Sequence, residues 1–271
     1  MRVPIEERFP APSVMGVLNV TPDSFSDGGV HLRVEPAVTS AWGMLEAGAA
    51  IVDVGGESTR PGSGGVDADE ELRRVEPVLA DLGGAPVSID TSKAAVARRA
   101  LELGVELVND VTALRGDPEL ADVVAESGCY LCLMHMRGEP RTMQVDPVYD
   151  DVVSDVKRFL EERLAFAVST GIREELVCLD PGIGFGKTVD HNCRLLRRLD
   201  ALVALGYPVL VGVSRKGFLG RLLNGRDVEQ RLFGTAAAVA LAVAGGAKLV
   251  RVHDVAAVHD VVVVTEAVLG A

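Results

Sequence analysis

Eight short apolar runs along the chain each end in a polar or charged residue. The runs are rich in Val, Ile and Leu, which indicates β-strands, and the longer segments between them carry the i, i+3, i+4 apolar spacing of helices. The polar ends are Asn19, Asp53 with Glu57, Asp90, Asn109, His135, Asp180, Ser214 with Lys216, and Arg251 with His253. Strict alternation of strands and helices implies a parallel sheet with crossover helices.

The same patterns give boundaries for each element. The predicted strands are 14–20, 50–55, 86–90, 106–110, 130–135, 176–180, 208–214 and 248–253. The predicted helices are 35–48, 68–82, 93–103, 118–127, 148–170, 191–205, 228–245 and 256–269. Eight such units in 271 residues match a closed (β/α)₈ TIM barrel of class α/β, a single domain over 1–271, because this fold takes about 250 residues. An open doubly wound sheet is the alternative.

In a barrel, functional residues lie at the carboxyl ends of the strands. Side chains alternate along a strand, so Ser88 and Asp90 share one face, as do Arg251 and His253. Gly212, Ser214 and Lys216 form a third such set. Their apolar neighbours should face the helices: Val87, Ile89, Val211, Val213, Val250 and Val252. Several ionisable groups are therefore expected in one small mouth.

Two strand-to-helix connections are long and rich in glycine. They span 21–29 and 58–67 and contain Phe25, Asp27, Thr59 and Arg60. Glycine-hinged loops on the same rim are typical of lids that close over a site. The alternative is a pair of surface loops without function.

Charge and hydropathy exclude some classes of partner. The formal net charge of −12 disfavours nucleic acid, which requires a basic face. Any anionic substrate must be held by a local basic cluster against this overall charge. The longest apolar run, 236–247, is too short to span a bilayer, so no membrane partner is expected.

The cysteines and the N-terminal segment indicate a reducing, cytoplasmic compartment. Cys129 and Cys132 form a C-x-x-C within an apolar run that reads as a strand, where the two side chains face opposite sides. They are predicted to be buried core residues and not a redox or zinc site. Residues 1–12 lack the apolar core of a signal peptide.

The polar strand ends have a chemistry in common with enzymes that bind heterocycles and phosphates. A buried Asp beside an Asn can pair with the donor-rich edge of a heterocycle. Lys, Arg and His suit a phosphate or pyrophosphate group. Asn19 and Asp27 offer the oxygen ligands that Mg²⁺ prefers when phosphate supplies the rest. For any single residue the alternative is a salt bridge that closes the barrel mouth.

Several other motifs are incomplete. The segment GIGFGKT at 182–188 resembles a phosphate-binding P-loop, but that pattern requires glycine at Pro181. The H-E-x-x-H pattern of zinc enzymes and the G-x-S-x-G pattern of hydrolases do not occur. Ser214 has no base near it in the sequence, so nucleophilic serine chemistry is not expected.

Long motifs at every strand end resemble those of the dihydropteroate synthase family of folate biosynthesis. They are MGVLNVTPDSFSDGG (15–29), DVGGESTRPG (53–62), SIDTSK (88–93), LVNDVT (107–112), LMHMRGEPRTMQ (133–144), LDPGIGFGKT (179–188), VGVSRKGFLG (211–220) and RVHDV (251–255). The resemblance runs through nearly the whole chain in order, so it is more specific than a shared fold. It implies a TIM-barrel transferase that forms a homodimer, uses Mg²⁺ and is inhibited by sulfonamides in competition with 4-aminobenzoate.

The resemblance also implies roles for individual residues. Asp90, Asn109, Asp180 and Lys216 would bind the pterin of 6-hydroxymethyl-7,8-dihydropterin pyrophosphate. Asn19, Arg251 and His253 would hold the pyrophosphate, with Asn19 as the Mg²⁺ ligand. The 4-aminobenzoate pocket would be formed by Phe185, Pro61 and Ser214 with the loop around Lys216. The two loops would contribute Phe25, Asp27, Thr59 and Arg60, and Asp27 and Asp90 would stabilise a cation formed when pyrophosphate leaves first.

One position departs from the family pattern. Several relatives carry serine directly after the lysine of SRK, whereas this chain has Gly217. We expect activity to be retained, because backbone N–H groups at the start of the following helix can also bind a carboxylate. Two other functions are the alternatives: a methyltetrahydrofolate–corrinoid methyltransferase, which would not need the two loop motifs, and a silent pterin-binding paralogue, which should have lost residues such as Asp27 or Arg251.

Overall fold

The chain folds into a single sheet of eight parallel strands, seen in a computed structural model that describes residues 2–21, 30–58, 64–138 and 142–271. The strands are β1 (Ser13–Asn19), β2 (Ala49–Gly55), β3 (Val87–Asp90), β4 (Leu107–Asp110), β5 (Tyr130–Met134), β6 (Val177–Asp180), β7 (Leu210–Gly212) and β8 (Leu249–Val252). They pair in the order β6-β5-β4-β3-β2-β1-β8-β7. A bridge between Leu179 and Val209 joins the two ends, which confirms the predicted barrel.

Helices surround the strands. They are α1 (Ile5–Arg8), α2 (Val30–Glu46), α3 (Ala68–Asp81), α4 (Ala94–Glu102), α5 (Leu120–Ser127), α6 (Val152–Ser169), α7 (Val189–Arg197), α8 (Asp200–Val203), α9 (Gly217–Leu222), α10 (Leu232–Ala244) and α11 (Val255–Leu269). Short 3₁₀ turns lie at Glu174–Leu176 and Val228–Gln230. Among the described residues, none of the helices combines the length and the apolar character needed to cross a bilayer.

The apolar side chains of the strands divide between two cores. The residues predicted to face the helices, from Val87 to Val252, belong to the large core between strands and helices. A smaller core fills the barrel itself: Met15, Ile51, Leu107, Tyr130, Cys132, Cys178, Leu210 and Leu249. Cys129 lies in the outer core and Cys132 in the inner one, and both are buried and unbonded, as their strand positions predict.

The amino end of the barrel is closed by a helix that the sequence patterns did not predict. Ile5 and Phe9, in and next to α1, are each 1% exposed and pack with Leu176 into the inner core. The Tyr130 hydroxyl donates to the Val3 carbonyl at 3.1 Å. The interior is therefore sealed by apolar contacts at this end, and its polar side chains gather at the other end.

Several predicted boundaries are wrong. The helix predicted at 35–48 begins at Val30, and the one predicted at 191–205 is broken into α7 and α8, although no glycine or proline marks the break. A 3₁₀ turn replaces the start of the helix predicted at 228–245. The strand predicted at 208–214 is only three residues long. After it the chain turns towards α9, and Arg215 in this turn adopts a φ of 57°.

Candidate active site

Strand register sets one polar side chain from each of β1, β3 and β4 in a row that runs past Gly55 of β2. Asn19 pairs with Gly55, Gly55 with Asp90, and Asp90 with Asn109 across β1 to β4. Because the strands are parallel, these residues all lie at the carboxyl end of the barrel. The convergence expected from side-chain alternation is therefore present for these residues.

Asp53 is the centre of the hydrogen-bond network beneath this row. It is fully buried and accepts hydrogen bonds from Ser88 Oγ at 2.6 Å, Asn109 Nδ2 at 2.9 Å and Arg251 Nε at 2.6 Å. The sequence left Asp53 without a role. Its three partners show that it fixes the orientation of Asn109 and Arg251, since a buried carboxylate requires such partners.

Asp90 is a buried carboxylate with one oxygen left without a hydrogen-bond partner among the described residues. Its Oδ2 accepts from Arg251 Nη2 at 2.7 Å, while Oδ1 is buried and has no hydrogen-bond partner among the described residues. Burial, opposed by Arg251 and reinforced by Asp53, raises the pKa of Asp90 to about 7. Such an unpaired buried oxygen at a barrel mouth is suited to accept an N–H or O–H group from a ligand.

The third carboxylate of the mouth, Asp180, lies at the end of β6. Its Oδ1 accepts from the Gly182 N–H at 2.6 Å, and burial raises its pKa to about 6 despite that hydrogen bond. Lys216 supplies an opposite charge, and burial lowers the pKa of this lysine to about 8. Asp90, Asp180 and Lys216 therefore titrate close to neutrality, as groups at functional sites often do.

Phe185 and Lys216 are in direct contact. The Lys216 ammonium lies 4.0 Å from the centre of the Phe185 ring, a cation–π distance. Phe185 also packs against a small apolar cluster of Val111, Met134, Met136 and Met143. The family motifs predicted Phe185 and the loop around Lys216 to form one pocket, and the structure brings Phe185 and Lys216 together.

Ser214 and His253 link the ends of β7 and β8. The Ser214 hydroxyl lies 3.0 Å from His253 Nδ1 and accepts from the His253 backbone N–H at 3.1 Å. The sequence had suggested no base near Ser214, because the two residues are 39 positions apart. Next to them, Arg215 donates to both oxygens of Asp254, at 3.0 and 2.5 Å.

Glu57 and His135, two polar strand ends without a predicted role, have structural partners. Glu57 forms an ion pair with Lys93, whose ammonium also contacts Glu71 on α3 at 2.5 Å. His135 is buried, with its Nδ1 at 2.9 Å from the ammonium of Lys187. Lys187 and Glu71 are buried charges that sequence reasoning missed, since neither ends an apolar run.

The surroundings of Asn19 fit a hard metal ion bound mainly by its substrate. A side chain at Gly55 would lie 3.8 Å from both Asn19 Oδ1 and Asp90 Oδ2, so glycine leaves room between these two oxygens. No cluster of three or more His, Cys, Asp or Glu side chains suited to a metal occurs in the described part of the chain. Mg²⁺ is commonly bound by one or two protein oxygens when phosphates and waters complete its shell.

Five predicted site residues lie outside the described residues: Phe25, Asp27, Thr59, Arg60 and Pro61. Their predicted roles are not tested by the geometry. The remaining predicted residues, from Asn19 to His253, all lie at the carboxyl ends of the strands or in the loops that follow.

Comparison with known proteins agrees with this arrangement. Residues 15–253 match the family of pterin binding enzymes. The chain is 47% identical over 263 residues to the dihydropteroate synthase of Escherichia coli K12, covering 96% of this chain and 93% of the relative.

Solved structures give the same result. The dihydropteroate synthase of Yersinia pestis with a sulfonamide drug is 44% identical, with a TM-score of 0.92 over 97% of this chain and 96% of the other. That of Xanthomonas albilineans with 4-aminobenzoic acid is 47% identical, with a TM-score of 0.91 over 97% and 95%. The same Xanthomonas enzyme with 7,8-dihydropteroate is 45% identical, with a TM-score of 0.88 over 97% of this chain and 95% of the other. The chain therefore belongs to the pterin-binding enzymes, within the dihydropteroate synthase family of transferases.

Proposed function

We propose that the chain condenses 6-hydroxymethyl-7,8-dihydropterin pyrophosphate with 4-aminobenzoate, giving 7,8-dihydropteroate and pyrophosphate. The strongest structural support is the unpaired, buried Oδ1 of Asp90 at the barrel mouth. The Xanthomonas albilineans relative has been solved with 4-aminobenzoic acid and with 7,8-dihydropteroate. Its identity of 45–47% extends over 97% of this chain and 95% of the relative.

The pterin would lie over the row formed by Asp90 and Asn109. Asp90 Oδ1 would accept from the donor-rich edge of the ring, and Asn109 is held for its part by the bond from its Nδ2 to Asp53. Asp180 would accept from the same heterocycle and Lys216 would donate to it. Carboxylates suit this task because each oxygen accepts a short, charge-assisted hydrogen bond.

The pyrophosphate would be bound by Arg251 and His253. Two carboxylates, Asp53 and Asp90, hold the guanidinium plane of Arg251, and the Ser214 hydroxyl contacts the His253 ring. Cationic donors fixed before the reaction stabilise the charge that develops on a leaving group. Asn19 would hold Mg²⁺, which when bound supplies further charge neutralisation for the pyrophosphate.

The reaction would be dissociative. The bond from the pterin methylene carbon to the pyrophosphate oxygen breaks first, and the electron pair leaves with the oxygen. Asp90, together with Asp27, would stabilise the resulting cation. The neutral amino group of 4-aminobenzoate then forms the new C–N bond and loses a proton to solvent, so no strong general base is needed.

The second substrate would bind between Phe185 and the loop around Lys216. Ser214 would belong to this pocket, together with Phe25, Thr59, Arg60 and Pro61 of the two long loops. Sulfonamides are expected to compete with 4-aminobenzoate for this space. Two copies of the chain are expected to form a homodimer, and the cytoplasm is the expected location.

A pyrophosphate-release assay tests this function. The purified chain with both substrates and Mg²⁺ should release pyrophosphate and form dihydropteroate in equal amounts, identified by mass spectrometry. Omission of 4-aminobenzoate should abolish dihydropteroate. Absence of release, or release without dihydropteroate when both substrates are present, would contradict the synthase function and favour a silent paralogue.

A further inference from the structure

Lys187 is a fully buried lysine at the centre of the loop between β6 and α7. Its ammonium contacts His135 Nδ1 at 2.9 Å and donates to the carbonyls of Gly182 and Phe185, each at 2.9 Å. A fourth contact, to the His135 carbonyl, is 3.4 Å long. All these contacts are to neutral acceptors, so burying the ammonium has a substantial desolvation cost. An apolar side chain would fill the same volume without that cost.

His135 is suited to accept this hydrogen bond. Burial, followed by the charge of Lys187, lowers the pKa of His135 to about 2, so the ring is neutral near neutral pH. The ring packs edge-on against Phe159, with 4.8 Å between the centroids, and this contact fixes its orientation. The Lys187 ammonium can then donate to His135 Nδ1. This hydrogen bond joins the end of β5 to the loop between β6 and α7.

The loop held in this way passes very close to the β5 end. Gly182, Gly184 and Gly186 all have positive φ, and a Cβ at Gly182 would lie only 1.9 Å from the His135 carbonyl oxygen. The remaining carbonyls of these glycines are also bonded, Gly184 to Gln144 at 2.6 Å and Gly186 to Tyr149 at 2.8 Å. These contacts define the path of the loop, and Lys187 donates to two of the four carbonyls named here, those of Gly182 and Phe185; the Gly182 carbonyl also accepts from the Phe185 N–H at 3.0 Å.

Phe185 connects Lys187 to the barrel mouth. Its carbonyl is bonded to Lys187, and its ring lies 4.0 Å from the Lys216 ammonium. Asp180 is anchored differently, because it belongs to β6, pairs with Met134 and accepts at its carbonyl from the His135 N–H at 2.9 Å. A disturbance at Lys187 should therefore displace Phe185 more than Asp180.

We infer that Lys187 is a positioning residue for the second substrate: by holding the carbonyls of Gly182 and Phe185 it sets the Phe185 ring in the proposed 4-aminobenzoate pocket. This inference rests on the proposed function. Lys187 would not touch either substrate, and it would act through the Phe185 side chain.

Steady-state kinetics of Lys187→Met tests the role. Methionine keeps the length and volume but removes the donors. Loss of the hydrogen bonds to the Gly182 and Phe185 carbonyls should misplace the Phe185 ring and raise the KM for 4-aminobenzoate roughly tenfold or more. The KM for the pterin pyrophosphate should change by less than about threefold, because Asp90, Asn109 and Asp180, three of the groups proposed to bind the pterin, are held in place by their strands. Turnover by the wild-type chain tests the proposed function. The role of Lys187 is tested separately, by the ratio of the KM for 4-aminobenzoate in the variant to that in the wild type.

The matched control is Lys248→Met. Lys248 also donates to a backbone carbonyl, that of Pro10 at 2.9 Å, but at the closed end of the barrel. Both KM values of this variant should equal those of the wild type. Lys187→Gln, which retains two N–H donors, should give an intermediate KM for 4-aminobenzoate and serves as the test variant if Lys187→Met does not fold.

A double-mutant cycle with Phe185→Ala separates positioning from general stability. If Lys187 acts through Phe185, Lys187→Met should change the KM for 4-aminobenzoate by less than about threefold in the Phe185→Ala background. Additive effects, an equal rise of both KM values, or lowered thermal stability with unchanged KM values would each overturn the inference. Failure of both Lys187 variants to fold would do the same, since it would show a purely structural lysine.

Discussion

Three aspartates at the barrel mouth have similar burial but different partners. Asp53 has three hydrogen-bond donors, Asp180 has the Gly182 N–H, and Asp90 has Arg251 on one oxygen only. Their positions at strand ends could be predicted from the apolar runs. Their different sets of hydrogen-bond partners could not be predicted, because they depend on contacts between residues up to 198 positions apart.

Asp180→Asn should stabilise the fold at neutral pH. Asparagine mimics the protonated acid and can still accept from the Gly182 N–H. Because burial raises the folded-state pKa of Asp180 to about 6, the unfolded chain loses its proton first. The free energy of unfolding therefore falls as the pH rises from the ordinary pKa of an aspartate through the folded-state pKa of about 6.

The variant should gain about 1–3 kcal/mol at pH 8 and little at pH 4. Denaturant unfolding at the two pH values measures this difference, and pterin affinity should fall at the same time. An equal effect at both pH values would show that the charge of Asp180 is not the cause.

Arg251→Ala should lower turnover about a hundredfold or more, because it removes one preorganised donor from the leaving group. It also leaves the buried Asp53 without its cation, which costs about 3–5 kcal/mol of stability. Turnover must therefore be measured where circular dichroism shows a folded variant. Arg251→Lys, which keeps a charge but cannot reach Asp53 and Asp90 together, should retain part of the activity. Near-normal turnover of Arg251→Ala would mean that the guanidinium is structural.

At the scale of elements, periodicity predicted all eight strands but missed two short helices. α1 and α9 are four and six residues long, too short for a 3.6-residue pattern to show. The path of the Lys187 loop was also hidden, because it is set by three glycines with positive φ and by contacts to the end of β5. The positions of strand ends therefore predict which residues lie at the mouth of the barrel. The paths of the loops decide which of those residues contact one another.

Phe9→Ala should destabilise the barrel without changing its chemistry. Phe9 is 1% exposed and closes the amino end of the inner core, so its truncation should cost about 3–5 kcal/mol. Thermal unfolding should show the loss, while both KM values and kcat stay at wild-type levels well below the transition. Phe166→Ala on α6, at a partly exposed site, should cost much less. A kinetic defect in Phe9→Ala would indicate coupling between the two ends of the barrel.

The Arg215–Asp254 pair should matter more for activity than for stability. It is partly exposed, so its contribution to the free energy of unfolding should be below about 1 kcal/mol. It nevertheless fixes a residue with a φ of 57° between Ser214 and Lys216. Asp254→Asn should lower kcat/KM about tenfold, comparable to one lost charge-assisted hydrogen bond.

Arg215→Met should have a similar effect, and the double variant should be no worse than either single one. Additive losses would show that the two residues act separately.

At the scale of the whole molecule, the fold has space for a serine side chain at Gly217, the position after Lys216 where several relatives carry serine. A Cβ at Gly217 would meet nothing within 4 Å, and its φ is not in the left-handed region. Gly217→Ser should therefore fold normally and leave the pterin site unchanged. If its hydroxyl reaches the aryl carboxylate, the KM for 4-aminobenzoate should fall. An unchanged KM would show that the chain binds this carboxylate equally well without the hydroxyl.

The outer face of α10 and α11 is the expected dimer interface. The two helices pack on each other and expose large apolar side chains, with Phe233 79% and Val268 71% exposed. Val264 lies one turn before Val268 on the same face, so a second copy would cover both. Large exposed apolar side chains on two neighbouring helices are a common mark of a protein–protein interface.

The double variant Val264→Asp, Val268→Asp should therefore sediment as a monomer at concentrations where the wild type is a dimer. Val168→Asp, at an exposed position on α6, should leave the dimer intact. Because two charges on a covered apolar face would be desolvated without partners, the expected loss of association is several kcal/mol, or at least about a hundredfold in the dissociation constant. A monomeric wild type, or a double variant that still dimerises, would place the interface elsewhere on the barrel.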